Sequence, residues 1–272
     1  MRIAISNIAW ETTEDQEVAL LLRKYRIDAI DVAPGKYFHK PKETLRTEVK
    51  MLSAWWAAQG IEITGMQSLL FGTIGMNLFG SAEIQASMLD HLNAVCRIAS
   101  NLGATRLVFG SPKNRNRSGL SDDDAAEIAI NFFHRLGEIA CDHGIILCLE
   151  PNPPCYGCNF MTNSSETASI VSKVAHPAIR MQLDTGALTI NGEDPQQVIR
   201  EYAHLIGHIH VSEPELVTLG DGKTEHAKVA SAVKMYLNDQ IVSIEMLPAK
   251  DEPNMVAVER ALQVAVNFYR YE

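Results

Sequence analysis

Short apolar or β-branched runs recur about every 25 to 45 residues along the 272-residue chain, and each is followed by a longer segment whose apolar positions have helical spacing. That alternation builds repeated βα units, because parallel neighbours need a crossover long enough to hold a helix. Eight units can be counted, with strands expected at 2–6, 29–32, 62–66, 106–109, 145–150, 180–184, 207–210 and 242–245. Eight strands alternating with helices favour closure over an open sheet. The expected class is therefore α/β, a single (β/α)8 TIM barrel occupying 1–272 as one domain.

Helix punctuation agrees with this count. Thr13-x-x-Gln16, Ser121-x-x-Asp124 and Asn163-x-x-Glu166 read as capping boxes ahead of periodic apolar runs. Gly60, Gly103 and Gly144 each follow a helical run and precede a strand, as helix C-terminal caps do. No Pro/Gly/Ser-rich linker divides the chain. Long irregular segments fall at 68–81, 110–119, 151–162 and 211–224. All four follow strands, which on a barrel puts them at the C-terminal face where active sites are built.

A formal charge of −9 argues against nucleic acid or an anionic membrane as partner, since polyanions require a basic footprint. A small molecule is the expected partner, and a homo-oligomer is compatible with everything in the chain. The apolar start at residues 1–7 is too short for a signal segment and no later run approaches a membrane span, so a cytoplasmic location is expected. Cys96, Cys141, Cys148, Cys155 and Cys158 are odd in number and scattered, which favours reduced thiols. Cys155-x-x-Cys158 has no second pair to complete a structural zinc site.

The ends of the last four strands carry the chemistry. Leu149-Glu150, Leu183-Asp184, Ile209-His210 and Ile244-Glu245 each close an apolar run with a metal-ligating residue type. Barrel strands converge at that face, so the four side chains can meet without being close in sequence. A charge at the end of a packed strand needs a partner or a metal, because an unpaired buried carboxylate is costly. Three carboxylates and one imidazole suit one divalent metal ion such as Mn²⁺, Mg²⁺ or Co²⁺; Zn²⁺ is less natural with so many oxygens.

The segments Leu149-Glu150-Pro151-Asn152, Gln182-Leu183-Asp184-Thr185-Gly186, Gly207-His208-Ile209-His210-Val211-Ser212-Glu213 and Ser243-Ile244-Glu245 resemble the xylose isomerase-like TIM-barrel superfamily, and within it the sugar isomerases and epimerases typified by ketose 3-epimerases. The resemblance implies that Glu150, Asp184, His210 and Glu245 bind the metal. It also implies that Glu150 and Glu245 move the proton. Ketose epimerases of this kind carry a His, an Arg and a Glu where this chain has Ala187, Leu216 and Tyr156, so the resemblance stops at the groups that grip the substrate.

Substrate contacts are expected from several places. Lys113 and Arg115 in the 110–119 loop could clamp a phosphate or carboxylate, with a solvated loop as the plain alternative. His226 could reach the substrate from the segment after strand seven, or simply begin a helix there. His208 shares a face with His210, and Asn7, Gln67 and Tyr156 offer polar groups, for which structural hydrogen bonds are an equal reading. The function these residues support is a metal-dependent sugar or sugar-phosphate isomerase or epimerase. Two alternatives stay open: a metal-dependent dehydratase of a polyol on the same scaffold, and a catalytically inactive sugar-binding barrel.

Overall fold

A computed structural model describes residues 1–271. Strands β1 (Ile3–Ser6), β2 (Ala29–Val32), β3 (Glu62–Met66), β4 (Arg106–Phe109), β5 (Ile146–Leu149), β6 (Ile179–Asp184), β7 (Ile206–Ser212) and β8 (Val242–Glu245) form one closed parallel barrel in sequence order. Closure is made by β1, whose Ile5 is in register with Ile30 of β2 on one side and Ile244 of β8 on the other. The α/β barrel expected from the repeat is the fold observed.

Helices α1 (Asp15–Lys24), α2 (Arg46–Ala58), α3 (Ala82–Leu102), α4 (Asp122–Asp142), α5 (Ser164–Val174), α6 (Thr185–Asn191), α7 (Pro195–Tyr202), α8 (His226–Tyr236) and α9 (Asn254–Tyr269) follow the strands. Their apolar stripes meet the outside of the sheet, so β1 and β2 are buried along their whole length. Trp56 of α2 and Tyr269 of α9 are fully buried in this layer. Two helices, α6 and α7, fill the step from β6 to β7, where one had been expected.

Local chemistry sets the helix ends. Ser121 and Asn163 accept hydrogen bonds from the amides of Asp124 and Glu166 at 3.2 and 2.9 Å, as expected of N-caps. Gly60, Gly103 and Gly144 have φ of 76°, 92° and 70°, the left-handed conformation that stops a helix and turns the chain toward the next strand. Thr13 does not cap. It lies inside a 3-10 turn over Thr12–Glu14, and there Glu14 accepts from the Glu11 amide at 2.8 Å.

Two strand ends differ from expectation. β7 runs on to Ser212, because Val211 and Ser212 still pair with Ile244 and Glu245 of β8. β5 stops at Leu149, which leaves Glu150 as the first residue of the following loop. Among the described residues no helix is long and apolar enough to cross a membrane.

Candidate metal centre

Glu150, Asp184, His210 and Glu245 come together at the C-terminal mouth of the barrel, with one ligand atom from each lying within 4.8 Å of all the others. His210 Nδ1 is 3.2 Å from Glu245 Oε2 and 3.6 Å from Glu150 Oε1. The sequence-expected quartet is therefore one cluster in space.

Each member is held from outside the cluster. Glu150 is fixed through its backbone, whose carbonyl accepts from Arg115 Nη1 at 2.7 Å, and through Oε2, which accepts from Asn152 Nδ2 at 3.0 Å. Its carboxylate also needs Gly110: a Cβ there would lie 2.0 Å from Glu150 Oε2. Asp184 caps α6, accepting from the Ala187 amide and the Ser212 hydroxyl, both at 2.7 Å. Gln67, at the end of β3, donates from Nε2 to Glu245 Oε1.

What remains unsatisfied points inward. Glu150 Oε1 and both ring nitrogens of His210 are buried without a hydrogen-bond partner. Leaving such atoms bare costs about 1–3 kcal/mol each, and a cation among them removes that cost. The electrostatics agree. Burial, then repulsion from Glu245 and Glu150, pushes the Asp184 carboxyl up to about 8. Burial works against charging His210, yet Glu245 and Glu150 hold its imidazole protonated well above the usual range. Burial also opposes Glu245 ionisation, but His210 and Gln67 outweigh it and keep that carboxyl below its normal value. Three carboxylates sharing one imidazole have the charge and the donor set of a divalent-cation site.

A cavity of about 420 Å³ opens over the cluster, reaching Glu150, Asp184 and Glu245 and lined further by Gln67, Asn152, Tyr156, Ala187, Leu216 and Leu247. Of the expected substrate contacts, Gln67 and Tyr156 lie in its wall. The others do not. Arg115 is fully buried behind Glu150, because the 3-10 turn at Pro112–Asn114 folds it inward; Lys113 is exposed and outside the cavity lining. Arg117 is bonded to the Asn159 carbonyl at 2.7 Å and to Asp122. The basic clamp expected of this loop is thus not assembled.

His226 is buried with both nitrogens engaged, one to Tyr269 Oη at 2.8 Å and one to Glu213 Oε1 at 2.9 Å. Asn7 spends its Oδ1 on the Ala33 amide at 2.7 Å. His208 pairs through Nε2 with Asp31 Oδ2 at 2.8 Å; since β2 and β7 are not neighbours, that bond crosses the barrel interior. A second cavity of about 540 Å³ at the N-terminal end touches His208 but none of the four ligands.

Three contributors went unassigned in the sequence. Asp31 is an acid inside an apolar strand, a signal that a buried partner must exist. Asn152 and Glu213 carry no such mark. Glu213 accepts from the amides of Gly220 and Thr224 at 3.0 and 2.9 Å and so fixes the loop after β7, a role that only the folded loop defines.

Comparison with known proteins places this architecture. D-psicose 3-epimerase, solved in the presence of D-fructose, superposes with a TM-score of 0.82 at 18% identity over 99% of both chains. The 3-keto-D-glucoside 4-epimerase from E. coli does so with a TM-score of 0.81 at 14% identity over 98% of this chain and 99% of that one. In sequence, an inosose dehydratase from Clostridium botulinum (strain Alaska E43 / Type E3) is 25% identical over 99 residues, which is 36% of this chain and about a third (32%) of the relative. The family profile described as Xylose isomerase-like TIM barrel matches residues 20–267. With the profile matching nearly the whole chain and the barrel closed in strand order, the protein belongs to the xylose isomerase-like TIM-barrel family.

Proposed function

We propose that this chain is a divalent-metal-dependent isomerase or epimerase acting on a sugar or sugar derivative. The observation that carries the reading is the convergence of Glu150, Asp184, His210 and Glu245 ligand atoms within 4.8 Å. The epimerases that share the fold supply the chemical class. A divalent cation at this site supplies positive charge beside a substrate oxygen and so lowers the cost of taking a proton from the adjacent carbon.

The chain's own residues do the rest. Glu150, just past the end of β5, and Glu245, the last residue of β8, are separated by β6 and β7, and so approach a bound molecule from two sides. One carboxylate removes the proton and the other returns one to the opposite face. Asn152 and Gln67 hold these two carboxylates in place. Asp184 and His210 would complete the ligand set of a bound cation.

A second reading has its own support. The match to an inosose dehydratase favours a lyase in which the same proton abstraction is followed by loss of a neighbouring hydroxyl. Metal analysis of the purified protein, followed by a panel of sugars and cyclic polyols in D₂O with product masses read out, separates the two. An isomerase or epimerase incorporates deuterium and conserves the skeleton, whereas a dehydratase product is lighter by one water. Absence of bound metal together with absence of exchange in any candidate would sink both readings, and full exchange in Glu150→Gln or Glu245→Gln would sink the two-base mechanism.

A further inference from the structure

The cavity above the ligands has an unusual distribution of chemistry for a site that handles polyols. Around the metal end lie carboxylates and two amides. Farther out, Tyr156, Leu216 and Leu247 form one continuous wall: Tyr156 Oη accepts from the Glu215 amide at 2.8 Å, and the Leu247 amide donates to the Leu216 carbonyl at 2.9 Å. Those two bonds clamp a strained piece of backbone. Glu215 and Leu216 have φ of 60° and 54°, left-handed values that side chains with a Cβ rarely adopt. Strain of this kind persists where surrounding structure imposes it, usually at functional sites. Its effect here is to place Leu216 in the cavity lining.

The wall stands open. Leu247 is 47% exposed, Tyr156 40% and Phe71, also in the lining, 84%. Such a cluster of apolar surface at a cavity mouth is the feature expected where a ligand packs. The charge pattern adds a second constraint. Glu150, Asp184, Glu213, Glu215 and Glu245 all line the cavity, and no Lys or Arg does. The nearby cations are committed or turned away, Arg115 under the Glu150 carbonyl and Arg117 on Asp122.

We infer that the substrate is an uncharged sugar with its carbonyl free and an apolar substituent at the far end, as a 6-O-alkyl or 6-O-aryl ether of a keto sugar has, with that substituent seated on the Tyr156, Leu216 and Leu247 wall. A phosphate at that end is rejected, since it meets carboxylates and, away from the metal end, finds no Lys or Arg to replace its water. The inference rests on the sugar-enzyme reading above and narrows it to one class of substrate.

Calorimetric titration of wild-type protein, loaded with Mn²⁺ and metal-free, against glucose and fructose, their 6-O-phenyl ethers and their 6-phosphates tests it. The phenyl ethers should bind about tenfold tighter than the free sugars through buried apolar area, and the 6-phosphates about tenfold weaker or worse. In Leu216→Arg the phenyl advantage should shrink and the 6-phosphates should become the tighter ligands; Leu247→Ser, a milder change, should lower the phenyl advantage alone. Wild-type preference for the phosphates, or no gain from the phenyl group in either series, including no binding at all, overturns the inference. A protein that fails to take up Mn²⁺ yet still prefers the phenyl ethers would overturn the metal reading and leave this one standing.

Discussion

His208 and His210 sit two residues apart on the same face of β7, both buried, and the barrel uses them in opposite ways. His208 points its Nε2 at Asp31, 2.8 Å away, in a slot that exists because Gly65 has no side chain: a Cβ there would lie 2.4 Å from Asp31 Oδ1. Thr64 Oγ1 donates to the same carboxylate at 3.1 Å. Two residues farther along the strand, His210 has neither nitrogen hydrogen-bonded and is surrounded by Glu150, Asp184 and Glu245, with Asp31 Oδ2 3.9 Å from its Nε2 below. The deeper pair is complete without help. The upper cluster keeps unsatisfied buried atoms, and that difference between a satisfied and an unsatisfied buried group is what supports the metal-site proposal for it.

The sharpest way to break this comparison is to exchange the two histidines' roles in mutants. His210→Asn should reduce Mn²⁺ affinity or turnover by about a thousandfold. Asp31→Asn should instead lower stability by about 3 kcal/mol, the cost of breaking a buried pair, while the protein still takes up one equivalent of Mn²⁺. Urea unfolding alongside metal titration reads both. If Asp31→Asn abolished metal uptake without loss of stability, the lower pair would belong to the site. The sign for Asp31 is that of a depressed acid: burial opposes its charge, but His208 and His210 hold its carboxyl at about 2, so the stability it contributes is present above the usual 3.8 and lost as pH falls toward 2.

Acidity sharpens the contrast further. Asp184 is raised to about 8 and His210 is held protonated, so a cation must displace protons to enter. Mn²⁺ affinity should therefore climb between pH 6 and 8, by about tenfold per pH unit for each proton released. In the metal-free protein the neutral Asp184 is the stabilising form, fully effective below 3.8 and lost as pH approaches 8. Stabilisation by Mn²⁺ should accordingly be greatest at the alkaline end, as thermal melting at pH 6, 7 and 8 would show. A flat pH profile would contradict the crowding of carboxylates inferred for the site.

The smallest effect is expected outside both clusters. Lys113→Ala should change kcat/KM by less than about twofold, within the range of surface substitutions, because Lys113 is exposed and outside the cavity. A large rise in KM would restore the 110–119 loop as a substrate clamp.

Much of this was legible beforehand because it depends on local pattern. Four of the eight strands lie where the apolar runs put them, residue for residue, and the four ligands are the polar residues that close the last four runs. The misreadings share a cause. Arg115 reads as half of a basic clamp or part of a solvated loop, but the chain turns it under Glu150; His226 reads as a substrate contact or a helix start, and it begins α8 with Glu213 and Tyr269 claiming both nitrogens. Thr13 fits a capping pattern that Glu11 and Glu14 supply instead. In each case a partner distant in sequence, or a turn just ahead, decided what the residue does.

What the amino-acid order determined by itself is the repeat of eight βα units and the residue types at the strand ends, because strand and helix periodicities are set by neighbours along the chain. Which of those polar residues are satisfied was decided only by closure of the barrel, which brings β2 to β7 across the interior and leaves Asp31 with His208. The same closure carries Glu150 and Glu245 to two sides of one cavity and seats Tyr156 against the backbone that presents Leu216. Hydrogen bonds and charge repulsion act over a few ångströms of space, whatever the separation in sequence, so the candidate metal centre was visible as a set of residues before folding and as an unsatisfied cluster only after it.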